Sequence, residues 1–400
     1  MRECSINIAS TSDIHFGHPR TPTAHIVNSF LEAFPDNAET AALDLIFLCG
    51  DVFDRLLTVP EIDHQTARVG IAKFLLRCEK YNITLIVIEG TPRHDRKQSY
   101  MFREIIDLLG LKLDFYYVEG CQILYLEKFD LNILCIQDEY SHNPDDTLAE
   151  VRRLMAERML TQVDIALMHG QFEHQLPDVD DARRKCHNAA AYLALVRYVI
   201  FIGHDHHFSE FTLEEFAAWI IAHGSLERLI HGEEEPKGHV RMRLDPDGTK
   251  SITFVENRLA MDYRTIDVHN LITEDVIKAI RALKLRPGSH VRLAGTVFDM
   301  GVRMIRHLRR DFPDLRLSTK PEKEKKGKDE PVATIYKSYV PVQIGQTNTT
   351  GMALDWLSRN GASAAEMKDC EDYLNEQINA GVGLKGARAV SHLNGDIAGH

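Results

Sequence analysis

The sequence of 400 residues exceeds one ordinary hydrophobic core, so two or three domains are expected. With 44% apolar and 26% charged residues it reads as globular, and its longest apolar runs, Leu45–Cys49 and Tyr198–Ile202, fall far short of the roughly 20 residues of a membrane span. A net charge of −12 excludes a chain that is basic throughout, so any grip on nucleic acid must come from local Lys/Arg clusters, bound cations or a partner subunit.

In chain order, no cationic leader with an apolar stretch precedes the first element, which points to a cytoplasmic protein. SINIAST reads as the first strand and delivers Asp13 and His15. LDLIFLC ends at Gly50, Asp51 and Asp54, and ITLIVIE runs into GTPRHD, with His94 and Asp95. VDIALM leads to His169, and YVIFI leads to Gly203, His204 and His206. Each run has the length of a buried strand. Helix signals lie between several of them, such as the capping box Thr147-x-x-Glu150 before LAEVRRLMAERML. Strands alternating with helices predict a layered α/β domain, in which ligands gather at the carboxyl ends of the strands. All five polar clusters sit at such ends. The seven cysteines lack CxxC spacing, which points to reduced thiols and to neither a disulfide frame nor a structural zinc site.

The texture then changes. FAAWIIAHGS reads as a strand, and HVRMRLDPDGTKSITFVE as a hairpin turning at Asp247-Gly248. A second α+β unit is expected from about residue 261, with RTIDVHNL, a helix from Thr273 and the strand HVRLAGTV. The charge-dense KPEKEKKGKDEP, residues 320–331, reads as a flexible insert, and two helices follow, around MALDWLSRN and from the capping box Ser363-x-x-Glu366. The expected organisation is thus 1–260, 261–340 and 341–400.

Carboxylates mixed with imidazoles suit first-row divalent ions such as manganese, iron or zinc. Two such ions about 3.5–4 Å apart, sharing a carboxylate, can clamp a phosphate for in-line displacement by water. The ordered set Asp13-x-His15, Gly50-Asp51-x-x-Asp54, Gly90 to His94-Asp95, His169-Gly170 and Gly203-His204-x-His206 resembles the calcineurin-like metallophosphoesterases. The following segment, GSLERLIHGEEEPKG, is similar to one in the SbcD-type DNA nucleases of bacteria and phages. The resemblance implies a four-layer α/β/β/α metallophosphoesterase sandwich, a smaller α+β capping domain that binds DNA, and a helical C-terminal tail.

It also implies a function: a manganese-dependent nuclease subunit, 3′-to-5′ on duplex ends and endonucleolytic on single strands or hairpins, in DNA repair, recombination and replication. The implied partners are DNA, a second copy of the chain and an SbcC-type coiled-coil ATPase that binds the tail. The implied location is a bacterial or phage-infected cytoplasm. Carried over, Asp13, His15, Asp51 and His206 would hold one ion, and Asp51, His169 and His204 the other. His94 would assist the leaving oxygen, with Asp95 steadying its imidazole, and Arg93, Ser225 and Arg228 would meet the substrate. The departure is at GTPRHD. The family usually reads Gly-Asn-His-Asp, whose amide completes the second ion's shell, whereas this turn is two residues longer and lacks the Asn. Arg93 stands before the histidine, and a guanidinium cannot ligate a cation. Extended turns of this kind point to a phage-encoded relative. The competing readings are a small-molecule phosphodiesterase and a non-catalytic scaffold with a weakened second site.

Overall fold

The computed structural model describes residues 4–175, 186–296, 300–321, 349–359 and 362–379. Most of the predicted insert at 320–331, and the chain beyond 379, lie outside them. The chain divides into two compact units, Met1–Tyr263 and Arg264–His400.

The first unit runs β1 (Ile6–Thr11), α1 (Thr23–Ala33), α2 (Ala38–Ala41), β2 (Leu45–Cys49), α3 (Ile62–Lys80), β3 (Thr84–Ile88), α4 (Met101–Leu109) and β4 (Phe115–Val118). It continues β5 (Cys121–Leu126), β6 (Leu131–Ile136), α5 (Pro144–Glu157), β7 (Val163–His169), α6 (Ala189–Leu193), β8 (Val196–Gly203), β9 (Phe208–Phe211), β10 (Trp219–His223), β11 (Gly238–Leu244) and β12 (Lys250–Glu256). The strands form two six-stranded sheets, ordered β12-β11-β1-β2-β3-β4 and β5-β6-β7-β8-β10-β9.

Strand periodicity explains the layers. Alternate side chains point to opposite faces, so a strand buried on both sides must be apolar at every position. In β2, Leu45 and Phe47 pack with Ile133, Leu167 and Phe201 of the other sheet, while Ile46 and Leu48 pack with Phe30, Ile71 and Phe74 of α1 and α3. In β8, Ile200 and Ile202 turn the other way, onto Leu148, Val151 and Tyr192 from α5 and α6. The result is a four-layer α/β/β/α sandwich. β1, β2 and β3 are parallel, as are β6, β7 and β8, so each sheet gathers its strands' carboxyl ends along one edge. The hairpin β11–β12 adds to β1 antiparallel and turns with Gly248 at φ +90°.

One boundary differs from expectation. α5 starts at Pro144 rather than at Thr147, because Asn143 caps it by accepting from the Asp145 N–H and proline presets the first helical φ. The Ser363 box is real: Ser363 N donates to Glu366 Oε2 at 2.8 Å, and Glu366 N to Ser363 Oγ at 3.3 Å.

The second unit carries β13 (Tyr263–Asp267), α7 (Thr273–Ala282), β14 (His290–Gly295), α8 (Val302–Asp311), β15 (Arg316–Pro321), α9 (Thr349–Arg359) and α10 (Ala364–Asn379). Its three-stranded sheet packs Val291 and Leu293 against Val276, Ile280, Met304 and Leu308 of α7 and α8. On α8, Arg306 donates to the Asp369 carbonyl of α10 at 3.2 Å and lies over the Tyr373 ring.

Candidate metal centre

The carboxyl ends of β1, β2, β3, β7 and β8 bring Asp13, His15, Asp51, His94, His169, His204 and His206 together. Three groups have ligand atoms within 4.8 Å of one another: Asp13, His15 and His206; His15, Asp51 and His94; Asp51, His169 and His204. The backbone bends sharply to do this. Asp13, His15, Asp51 and His204 all have positive φ, at 50°, 57°, 50° and 98°, conformations that cost on the order of 1–3 kcal/mol each and cluster at functional sites. Gly90 is required by crowding, since a Cβ there would come within 2.1 Å of the Asp51 nitrogen.

Three imidazoles share one arrangement. His169 Nδ1 lies 2.7 Å from the Cys49 carbonyl, His206 Nδ1 lies 2.7 Å from Glu233 Oε1, and His15 Nδ1 lies 3.2 Å from Asp54 Oδ1. Each Nδ1 is therefore placed to donate outward and each Nε2 faces inward, where its lone pair would be offered to a bound cation, which is how outer acceptors prepare histidines to bind a metal. His15 Nε2 and His206 Nε2 are 3.3 Å apart, and lie 3.9 and 3.8 Å from Asp13 Oδ1. His169 Nε2 is completely buried and faces Asp51 Oδ1 at 3.3 Å without a well-formed hydrogen bond. Buried imidazole nitrogens and carboxylate oxygens turned toward one another are a donor set that fits divalent cations.

The electrostatics agree. Burial alone would push the His169 imidazole down, but Asp51, with Asp13 and Asp138 behind it, holds it well above the ordinary range. Burial likewise opposes ionisation of Asp51, and His169, His15 and His94 reverse this, holding its carboxyl far below the usual range. The carboxylates call for positive charge at the positions that cations would take.

Asp95 is not where expected. Its Oδ2 accepts from the Asp51 N–H at 3.0 Å and the Gly90 N–H at 2.8 Å, and its Oδ1 from the Phe53 N–H at 2.8 Å. Both oxygens are spent on the backbone beneath the site. Asp95 therefore fixes the Asp51 turn instead of steadying His94. The half-buried His94 ring has its Nδ1 3.3 Å from His15 Nδ1 and 3.7 Å from Asp51 Oδ2. Burial pushes its imidazole below the ordinary value, against the pull of Asp51. Arg93 is exposed, next to His94 in the turn.

Ser225 and Arg228 are tied into the backbone instead. Ser225 is buried and its hydroxyl donates to the Glu227 carbonyl at 2.7 Å. The buried Arg228 guanidinium donates to the carbonyls of Glu235, Ala260 and Met261 and lies 3.6 Å from Asp262. Their segment is a strut, because an arginine can tie several carbonyls at once where lysine cannot. Arg228→Ala is accordingly expected to cost about 2–4 kcal/mol in denaturant unfolding, through stranded buried carbonyls. What the segment gives to the site is Glu233, which orients His206, with Lys237 Nζ donating to the His206 carbonyl at 2.7 Å.

Sequence reasoning missed Glu233, Asp138 and the Cys49 carbonyl as parts of the site. The first two are acidic residues in polar stretches that hold other acidic residues, and a backbone carbonyl leaves no trace in a sequence.

The fold is a four-layer α/β/β/α sandwich with an Asp/His donor set at the strand ends. No known family profile matches the sequence, and no curated protein does either. Among solved structures, the TT1561 protein of Thermus thermophilus aligns with 11% identity and a TM-score of 0.36, over 62% of this chain and 98% of its own. Vacuolar protein sorting 29 from Cryptosporidium parvum aligns with 8% identity and a TM-score of 0.27, over 64% and 98%. Zinc-complexed Vps29 from Entamoeba histolytica aligns with 10% identity and a TM-score of 0.26, over 63% and 100%. At these scores the likeness carries no residue-level correspondence. Among the described residues, no helix is long and apolar enough to cross a membrane.

Proposed function

We propose that this chain is a manganese-dependent DNA nuclease subunit of the SbcD type, working with an SbcC-type ATPase in DNA end processing. The observation that carries the reading is the centre itself: three overlapping donor groups, two of them sharing Asp51, with three imidazoles pre-turned by Asp54, Glu233 and the Cys49 carbonyl. Divalent ions held there would activate water and offset charge on a phosphodiester. The chain's own part is to hold Asp51 with the Thr91 N–H, at 2.6 Å, and to keep His94 beside the centre, where its imidazole can stabilise a leaving oxygen.

A polyanionic substrate is supported by the charge distribution. Residues 264–321 hold twelve Lys and Arg against six Asp and Glu, in a chain whose net charge is −12. Electrostatic attraction to phosphates is thus concentrated in the second unit. Dimerisation would use α3, where Ile62, Val69 and Leu76 recur every seven residues and are 81, 54 and 47% exposed. Light scattering is expected to give the mass of two chains, and Val69→Glu that of one; an already monomeric wild type would remove the dimer from the proposal.

The function is tested by incubating the purified chain with end-labelled duplex and hairpin DNA, with and without the ATPase, in Mn²⁺ or Mg²⁺. Manganese-dependent DNA cleavage is the expected result. Hydrolysis of small diesters alone would instead make it a small-molecule phosphodiesterase, and no hydrolysis of any substrate a scaffold.

A further inference from the structure

The second donor group, Asp51, His169 and His204, offers three ligand atoms, and the GTPRHD turn beside it brings no Asn to add a fourth. We infer that Asp138, from the turn after β6 and outside the motifs, supplies it. This rests on the metal-centre reading above and goes beyond it, because no part of the resemblance assigns a role to this residue.

Topology puts Asp138 there. β6 lies parallel to β7 with Ile136 opposite Met168, so the chain leaving β6 passes the chain leaving β7 just beyond His169. Close approach depends on Gly170, whose φ is +138°, since a Cβ at that residue would already lie 3.3 Å from Asp138 Oδ1. The other carboxylate oxygen, Oδ2, lies 3.1 Å from Thr91 Oγ1 and 3.6 Å from His204 Nδ1. Thr91 Oγ1 is in turn 3.4 Å from His204 Nδ1 and 3.2 Å from Asp51 Oδ2.

These separations discriminate between roles. At 3.6 Å, Asp138 and His204 are too far apart for a hydrogen bond, so the carboxylate is not simply orienting that imidazole. Two ligands each about 2.1 Å from one ion, at angles of about 90–110°, stand about 3.0–3.4 Å apart, which is near the 3.6 Å between Asp138 Oδ2 and His204 Nδ1. The Thr91 hydroxyl has a single proton and two carboxylates, Asp51 and Asp138, within reach. The other oxygen of each is already taken, Asp51 Oδ1 by the Thr91 N–H and Asp138 Oδ1 by the Glu139 N–H, so the two Oδ2 atoms share that one proton and a cation beside them would relieve the crowding of charge. His169 Nε2, fully buried 3.3 Å from Asp51 Oδ1, faces the same group.

The exchange has a chemical consequence. A carboxylate in place of an amide adds a negative charge to the second site and hardens its donor set, favouring Mn²⁺ or Mg²⁺ over softer ions. The extended turn is then compensated: it carries Thr91 in place of the amide residue, and the ligand comes across from the other sheet.

The test is calorimetric titration of the full chain with Mn²⁺, for wild type, Asp138→Ala and Asp138→Asn, with electron paramagnetic resonance to distinguish paired from isolated Mn²⁺. Wild type is expected to bind two ions. Asp138→Ala should keep the first at wild-type affinity and weaken the second by about 100-fold or more, replacing the coupled-pair signal with that of isolated Mn²⁺. Asp138→Asn, which returns a neutral oxygen, should hold both ions with only the second weakened. Wild-type stepwise affinities in folded Asp138→Ala would overturn the inference, as would equal weakening of both ions. A wild type that binds no Mn²⁺ would fail the metal-centre reading before any variant is compared.

Discussion

Asp51→Ala is expected to abolish Mn²⁺-dependent DNA cleavage, by on the order of 10³-fold or more, since metal ions supply several kcal/mol of transition-state stabilisation and about 1.4 kcal/mol is tenfold in rate. Asp51 turns one carboxylate oxygen toward each side of the centre. Its Oδ1 is 3.3 Å from His169 Nε2, and its Oδ2 is 3.9 Å from His15 Nε2. Removing it should weaken both ions together, unlike the one-sided effect predicted for Asp138. Asp51→Asn is the companion variant, because an amide can still accept from the Thr91 N–H that holds this side chain at 2.6 Å. Cleavage rates and Mn²⁺ titrations on the same preparations check the point. Retention of either ion at wild-type affinity in Asp51→Ala would show that the carboxylate is not shared.

His94→Ala should lower cleavage by about 10²–10⁴-fold, the range for loss of a positioned acid–base group, while leaving both ions bound. The separation of effects is the substance of the prediction, because His94 also lies within ligand distance of His15 and Asp51. One observation favours a role at the substrate. Its Nδ1 faces the His15 nitrogen already directed at Asp54. A ligand would be expected to face the inward lone pairs instead. Mn²⁺ content measured on the same variant decides the matter: loss of an ion along with activity would make His94 a ligand.

The sequence displayed the centre because the chemistry sits where strands end. Apolar runs such as LIFLC and YVIFI are buried on both faces, and the first polar residue after each is forced to the sheet edge, where the ends of neighbouring parallel strands converge. Local pattern therefore predicted global proximity. The parts that were not legible depend on long-range geometry. Asp138 follows β6 with no glycine or histidine to mark it, and only the β6–β7 register makes it a neighbour of His169. Ser225 and Arg228 sit in a segment that does reach the site, through Glu233, but their own side chains turn inward to tie carbonyls. Asp95 departs from expectation for a similar reason. Its place next to His94 in the chain suggested contact, yet it folds under the turn to collect three N–H groups. The amide loss at GTPRHD was visible, and its consequence could not be worked out without the second sheet.

The most direct measurement of the account is anomalous diffraction at the manganese edge from crystals of the chain grown with Mn²⁺. Two peaks about 3.5–4 Å apart are predicted, one among Asp13, His15 and His206 and the other among His169, His204 and Asp138, with Asp51 between them. A single peak, or peaks outside these residues, would contradict the two-ion centre on which the proposed nuclease rests.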